Sequence, residues 1–183
     1  MKTYNLFEKI TALTLIGGIL FVSSCNEEDR LTFADTQDIT EEAVTDSYFQ
    51  DMDDMAGVAI NSPNETQLSG GRVSTTITIE DQRFKCEGIV VTVEPGPNST
   101  IDVPQGVLTI NFGTTGCTDL KGNIRTGKLI FTYNGRRFKP GSTVVTTTDN
   151  YTINGILIEG TRTLTNISGS TQEAPKFNAI LEN

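Results

Sequence analysis

Gly127-Lys-Leu-Ile-Phe-Thr-Tyr-Asn-Gly135 decides the fold of this chain. Leu129, Phe131 and Tyr133 alternate with Ile130 and Thr132, and the run ends on Asn134-Gly135. Successive side chains of a β-strand point to opposite faces, so a period of two marks a strand with one buried face. Asn-Gly accepts the positive φ angles of a tight hairpin turn. The same grammar recurs on both sides. Val73, Thr75, Ile77 and Ile79 alternate with Ser74, Thr76, Thr78 and Glu80, and Leu108, Ile110 and Phe112 with Thr109 and Asn111. Asn154-Gly155, Pro95-Gly-Pro97 and Pro140-Gly141 mark further turns. Strands are predicted near 73–80, 84–93, 106–112, 127–133, 142–148, 150–153, 156–165 and 176–181. The expected fold is mainly β: an antiparallel sheet or sandwich over residues 72–183, carrying one N-terminal amphipathic helix.

That helix is predicted over 38–60. Asp38 stands as its N-cap with Glu41 reaching back, as in a capping box. Val44, Tyr48, Met52, Met55 and Ala59 follow at helical spacing and form one apolar stripe. Glu41, Asp46, Asp53 and Asp54 fall on the opposite face, which is expected to be solvated. Asn61-Ser-Pro-Asn64 ends the helix, and 61–71 reads as a linker with Ser69-Gly-Gly71 at its end.

The first 24 residues read as a signal peptide. Lys2 and Lys9 precede an apolar run from Ile10 to Val22, which is shorter than the ~20 residues needed to span a bilayer. Val22-Ser-Ser-Cys25 then sits where a bacterial lipobox would. Cys25 is the expected lipidation site: a diacylglycerol on its sulfur and a palmitate-type chain on its new amine would make a lasting membrane anchor. Residues 25–37 read as an acidic tether. From Asn26 to Met55 there are eleven acids and one base, whereas from Ala56 to Asn183 acids and bases balance at eleven each. A near-neutral domain on an acidic stalk, with no basic stripe, argues against nucleic acid as a partner.

With Cys25 set aside, Cys86 and Cys117 remain. In an oxidising compartment an even pair suggests a disulfide. Closing a loop of about thirty residues would contribute ~3–4 kcal/mol on the chain-entropy account. Two separate thiols are the alternative. Two Cys without His fall short of a zinc ligand set, so no metal is expected.

The 183 residues contain no His. That removes Ser-His and Cys-His nucleophile activation and the commonest general base. No phosphate-cradling Gly-rich loop opens a helix, and no cofactor is expected. Asp51-Met-Asp-Asp54 lacks the Gly and terminal Glu of a calcium loop. Glu87, Glu94, Asp102, Asp119, Asp149 and Glu159 are candidates for a glycosidase-type carboxylate pair. Arg125, Arg136, Arg137 and Lys139 flank turns, where they either solubilise loop ends or meet an acidic ligand. There is no Trp, so Tyr133 and Tyr151 are the candidate sugar-stacking rings unless they belong to the core. Tyr133, Tyr151, Arg136 and Arg137 together make the candidate ligand face. Thr146-Thr-Thr148 and Thr161-Arg-Thr-Leu-Thr165 predict rows of Thr across neighbouring strands. Such a surface is either a wet face of high β-propensity or a flat platform for a glycan.

Two resemblances follow. Cys25-Asn-Glu-Glu-Asp29 resembles the export signal of Bacteroidota-type surface lipoproteins. Asn111-Phe-Gly-Thr-Thr-Gly-Cys-Thr-Asp119, Gly122-Asn-Ile-Arg-Thr-Gly127, Pro140-Gly-Ser142, Asn150-Tyr-Thr-Ile-Asn-Gly155 and Glu159-Gly-Thr-Arg-Thr163 are similar to an uncharacterised family of such lipoproteins, over roughly residues 75–179. The first resemblance implies an outer-membrane, surface-exposed location. The second implies the β-fold and no assigned activity. Family members run on with more strands, so a truncated member with a bare last edge is expected. The function expected is a lipid-anchored envelope protein with a non-enzymatic structural or ligand-binding β-domain. A glycan-binding module, a carboxylate-dependent hydrolase and a subunit that offers its last strand to a surface protein are the alternatives.

Overall fold

The computed structural model describes residues 33–64 and 73–182, and of 33–42 the backbone alone. The signal peptide, Cys25 and most of the tether lie outside the described residues. The chain divides into Met1–Ala43 and Val44–Asn183. Of the first unit the described part is the opening of helix α1, which spans Phe33–Asn61. The second unit holds the rest of α1 and the sheet.

α1 begins five residues before Asp38, so Asp38 is inside the helix and does not cap it. Its buried face also differs from the predicted stripe. Phe49, Met52, Met55, Ala56, Ala59 and Ile60 are buried, whereas Val44 is 39% exposed. Asp53, placed by the sequence on the wet side, is buried. Among the described residues no helix is long and apolar enough to cross a membrane.

Among the described residues nine strands form one open antiparallel sheet, and there is no second sheet to make a sandwich. They are β1 (Thr75–Ile77), β2 (Val90–Pro95), β3 (Gln105–Asn111), β4 (Cys117–Thr118), β5 (Ile124–Asn134), β6 (Thr143–Ile153), β7 (Ile156–Leu157), β8 (Thr161–Asn166) and β9 (Phe177–Glu182). The order is β1-β2-β3-β5-β6-β8-β9, with β4 paired to β5 and β7 to β6. The eleven-residue β5 and β6 form the spine. The segment read as the start of a strand at 84 instead opens on a 3-10 turn, Gln82–Phe84, capped by Asp81.

Among the described residues only one face of the sheet is closed. Val91, Val93, Leu108, Ile110, Leu129, Phe131, Tyr133 and Val144 point inward and join the buried face of α1 in one core. Their rows run across the ladder: Val93 lies opposite Leu108, Leu108 opposite Phe131, and Phe131 opposite Thr146. Each fully buried Leu or Phe of this kind stabilises by roughly 1.5–3 kcal/mol relative to exposure.

A β-bulge divides the spine. The register shifts between Thr126 and Lys128, and the extra residue falls on β6 at Asn150, which has φ +49°. Val144 and Thr146 are inward before it; Tyr151 and Ile153 are inward after it. The bulge thus moves the buried set from even to odd positions, and it joins what the sequence reads as two strands. Of the two Asn-Gly pairs, Asn154-Gly155 makes the tight hairpin, with both residues at positive φ. Asn134-Gly135 instead opens a longer loop that returns at Thr143.

Cys86 and Cys117 are joined, with Cα atoms 5.6 Å apart across 31 residues of chain. The bridge ties the segment after the 3-10 turn to β4, one of the two shortest strands.

Gly127 faces the bulge at φ +75°, and a Cβ there would lie 2.1 Å from the Asn150 carbonyl oxygen. Gly127→Ala is therefore expected to cost ~2 kcal/mol or more in chemical denaturation. Gly155→Ala, where a Cβ meets nothing within 4 Å, should cost less because only its positive φ is strained.

Candidate functional site

Two features stand out beyond the apolar core: a seam of acids and arginines under α1, and the uncovered outer face of the sheet.

The seam is built from Asp51, Asp53 and Asp54 on α1 and four arginines from separate elements. Arg125 of β5 is 1% exposed. It contacts Asp51 Oδ2 at 2.8 Å, donates to the Tyr151 hydroxyl at 2.6 Å, and lies 3.4 Å from Asp119. Arg83 of the 3-10 turn meets Asp51 at 3.3 Å and Asp81 at 3.0 Å. Arg162 of β8 meets Asp53 at 2.9 Å and lies over the Phe49 ring. Arg137, in the β5–β6 loop, donates to the Asp53 carbonyl at 2.8 Å and pairs with Asp54 at 3.2 Å. Its guanidinium also covers Phe138 and Phe177. Gly57 of α1 makes room for it, since a Cβ there would sit 2.7 Å from Arg137 Nη1.

Burial and hydrogen-bonded or charged partners push these groups in opposite directions. Burial pushes the Asp53 carboxyl up, and Arg162 only partly offsets it. Arg83 beside Asp81 holds that carboxyl below its usual range. Burial would raise Asp119, but amide donors at Asn123 and Lys121 and the charge of Arg125 outweigh it and bring it down. Burial pushes the Tyr151 hydroxyl up to about 12.

The four residues expected to share a ligand face are not brought together. Tyr151 is buried beneath Arg125. Tyr133 is buried opposite Val144, with a hydroxyl that has no hydrogen-bond partner among the described residues. Arg137 reaches the Asp53 carbonyl of α1, and Arg136 reaches the Ile101 carbonyl. The two rings are core residues because their strand positions have inward parity, which the bulge sets for Tyr151. Of the carboxylates considered as a catalytic pair, Asp119 is bound to Arg125 and Asn123, and Asp149 to Lys128. Among the described residues no three His, Cys, Asp or Glu side chains group so as to hold a metal ion. Shallow depressions adjoin the seam. One of about 180 Å³ is lined by Ser47, Tyr48, Lys121 and Asn123 beside Arg125.

The outer face has the rows of Thr the sequence suggested. One row passes from Thr92 through Thr109, Ile130 and Thr147 to Thr161. The next passes from Glu94 through Val107, Thr132, Val145 and Thr163 to Ile180. These side chains are half-buried or exposed. Further along β5 and β6, Thr126 and Thr152 hydroxyls meet at 2.7 Å. The seam was not legible as a site, because its arginines are scattered from 83 to 162 and nothing local marks them as partners of α1.

Arg125→Met is expected to cost ~3–5 kcal/mol, because it leaves Asp119 buried without its cation. Tyr133→Phe should change stability by less than ~1 kcal/mol, because it removes a hydroxyl with no partner. Denaturant midpoints of the two variants check the contrast. Stability should also fall with acid. Asp81 and Asp119 contribute above their unfolded pKa near ~3.9, and that contribution is lost as pH drops through their lower folded values. Asp53, raised by folding, acts oppositely: its contribution is present at low pH and fades as pH rises through its folded value. An acid titration of unfolding should therefore flatten in Asp119→Asn and persist in Asp53→Asn.

Comparison of the chain with protein-family models, with curated proteins and with solved structures finds no match.

Proposed function

We propose that this chain is a lipid-anchored envelope protein, held through Cys25 at the outer membrane and displayed outward. Its β-domain acts by binding or by structural contact, not by catalysis. The observation that carries the binding role is the asymmetry of the sheet. One face is closed by α1, while the other is an open field chiefly of Thr, Val and Ile that no described element covers. A stable open sheet whose outer rows are mainly Thr, Val and Ile, with charge confined to Glu94 and the Lys128–Asp149 pair in its central strands, suits an extended neutral polymer, with hydroxyls such as those of Thr132 and Thr163 as donors and acceptors. An extended glycan is the ligand class proposed. The lipobox, the acids after Cys25 and the resemblance to Bacteroidota-type lipoproteins support the address.

The hydrolase alternative draws less support. The buried acids Asp53 and Asp119 and the half-buried Asp51 are each paired with an arginine. A general acid instead needs a carboxyl held protonated near neutral pH and close to substrate.

Protease shaving of intact cells, read by mass spectrometry, tests the address. Peptides from 72–183 should be shed from wild type, and Cys25→Ser should no longer fractionate with membranes. Protection of those peptides until the outer membrane is opened would refute surface display. For the face, retardation in gels containing neutral polysaccharides should be lost in Thr132→Lys with Thr163→Lys. The thermal midpoint should stay within a few degrees, since both sites lie outside the core.

A further inference from the structure

β9 is the last strand of the sheet, and no described strand pairs with its outer side. Its backbone polarity can be read from its neighbours. Asn166 N–H donates to the Ser142 carbonyl, so even residues of β8 bond towards β6 and odd ones towards β9. Ile167 N–H accordingly donates to the Lys176 carbonyl. Following the register of β8 and β9, Asn178, Ile180 and Glu182 bond to β8. Phe177, Ala179 and Leu181 direct their N–H and C=O groups outward, a row of unpaired ladder groups.

Sheet edges are commonly blunted by Pro, Lys, a bulge or brevity. β1 is three residues long. β9 has six residues, no Pro, no Lys and no bulge, and Ile180 and Leu181 are 49% and 42% exposed on its two faces. Lys176 lies just before the strand and Glu182 at its end.

The geometry points to a second copy of this chain as the occupant of that edge, paired antiparallel about a two-fold axis at Ala179. Several features single out this register. Residues with outward backbone groups meet each other: Ala179 faces Ala179 of the second copy, and Phe177 faces Leu181 twice. Lys176 faces Glu182 twice, so opposite charges meet at both ends of the contact and no like charges oppose. Asn178 faces Ile180 on the outer face. Cross-strand apolar and opposite-charge pairs of this kind are the unit of sheet stabilisation. Pairing would extend the Thr-bearing face into one continuous surface across both copies. This inference is independent of the ligand and of the anchor. A six-residue edge contact is well under the ~1,200 Å² of a tight interface, so association is expected to be weak and is best trapped covalently.

The test is oxidative cross-linking of the full chain carrying Ala179→Cys, read on non-reducing gels, with the unsubstituted chain as background. Ala179 is exposed and opposite residues of a hydrogen-bonded pair lie ~5.5 Å apart at Cα, within disulfide reach. A dimer band is expected. Adding Lys176→Glu should lower its yield several-fold, and adding Glu182→Lys as well should restore it. Ala179→Pro removes an N–H that β8 does not use. In the otherwise unsubstituted chain it should abolish the self-association seen by sedimentation at high concentration while leaving the thermal midpoint in place. Absence of the cross-linked dimer overturns the proposal. So does a dimer indifferent to the charge reversal, or a cross-link only to a different protein.

Discussion

The buried contact between Arg125 and the acids around it is the constraint on which the rest of the structure depends. A guanidinium 1% exposed is tolerable only with its charge and donors matched. The match comes from three parts of the fold at once: Asp51 of α1, Asp119 of the loop after β4, and Tyr151 beyond the bulge of β6. Each must be in place for the others to be soluble in the interior. Hydrophobic burial supplies most of the drive to cover the sheet, but it is non-directional. The arginines supply direction. Together with Arg83, Arg137 and Arg162, which pair with acids of the same helix, Arg125 fixes which side of α1 faces the sheet and its position along its own axis.

That arrangement explains what could be read from the sequence and what could not. Strand identity was legible because Leu129, Phe131 and Tyr133, or Leu108 and Ile110, alternate without interruption. The extent of β6 was not, because Asn150 changes the parity between Thr146 and Tyr151, and a reader of period two sees two strands. Strands as short as β4 and β7 have too few residues to show a period. On α1 the error was one of assumption. Charged residues are usually exposed, so Asp53 was assigned to water. Its partner, Arg162, lies 109 residues away, and only tertiary structure brings them together. The pairing of Cys86 with Cys117 was legible, as were the rows of Thr. The placing of Tyr133 and Tyr151 was not, since a tyrosine suits a core and a sugar equally well.

The two faces of the sheet carry different duties. The inner one is saturated: apolar rows against α1, acids against arginines, a disulfide at one side. The outer one retains β-branched and hydroxyl-bearing side chains in register over many strands. A partner would find there a rigid, preorganised platform, for which little ordering entropy has to be lost on contact.

The bulge at Asn150 has a consequence for how this sequence can change. β6 behaves as two phrases in different phase, and one residue holds them apart. If the bulge were smoothed out without loss of a residue, pairing from Lys128 and Asp149 onward would run in one unbroken phase. Tyr151 and Ile153 would turn to solvent, and Thr152 would be set against Arg125. Substitutions on either side of Asn150 can drift independently, so long as the bulge between them is kept. In this strand the left-handed turn at Asn150 is therefore more constrained than the side chains that flank it.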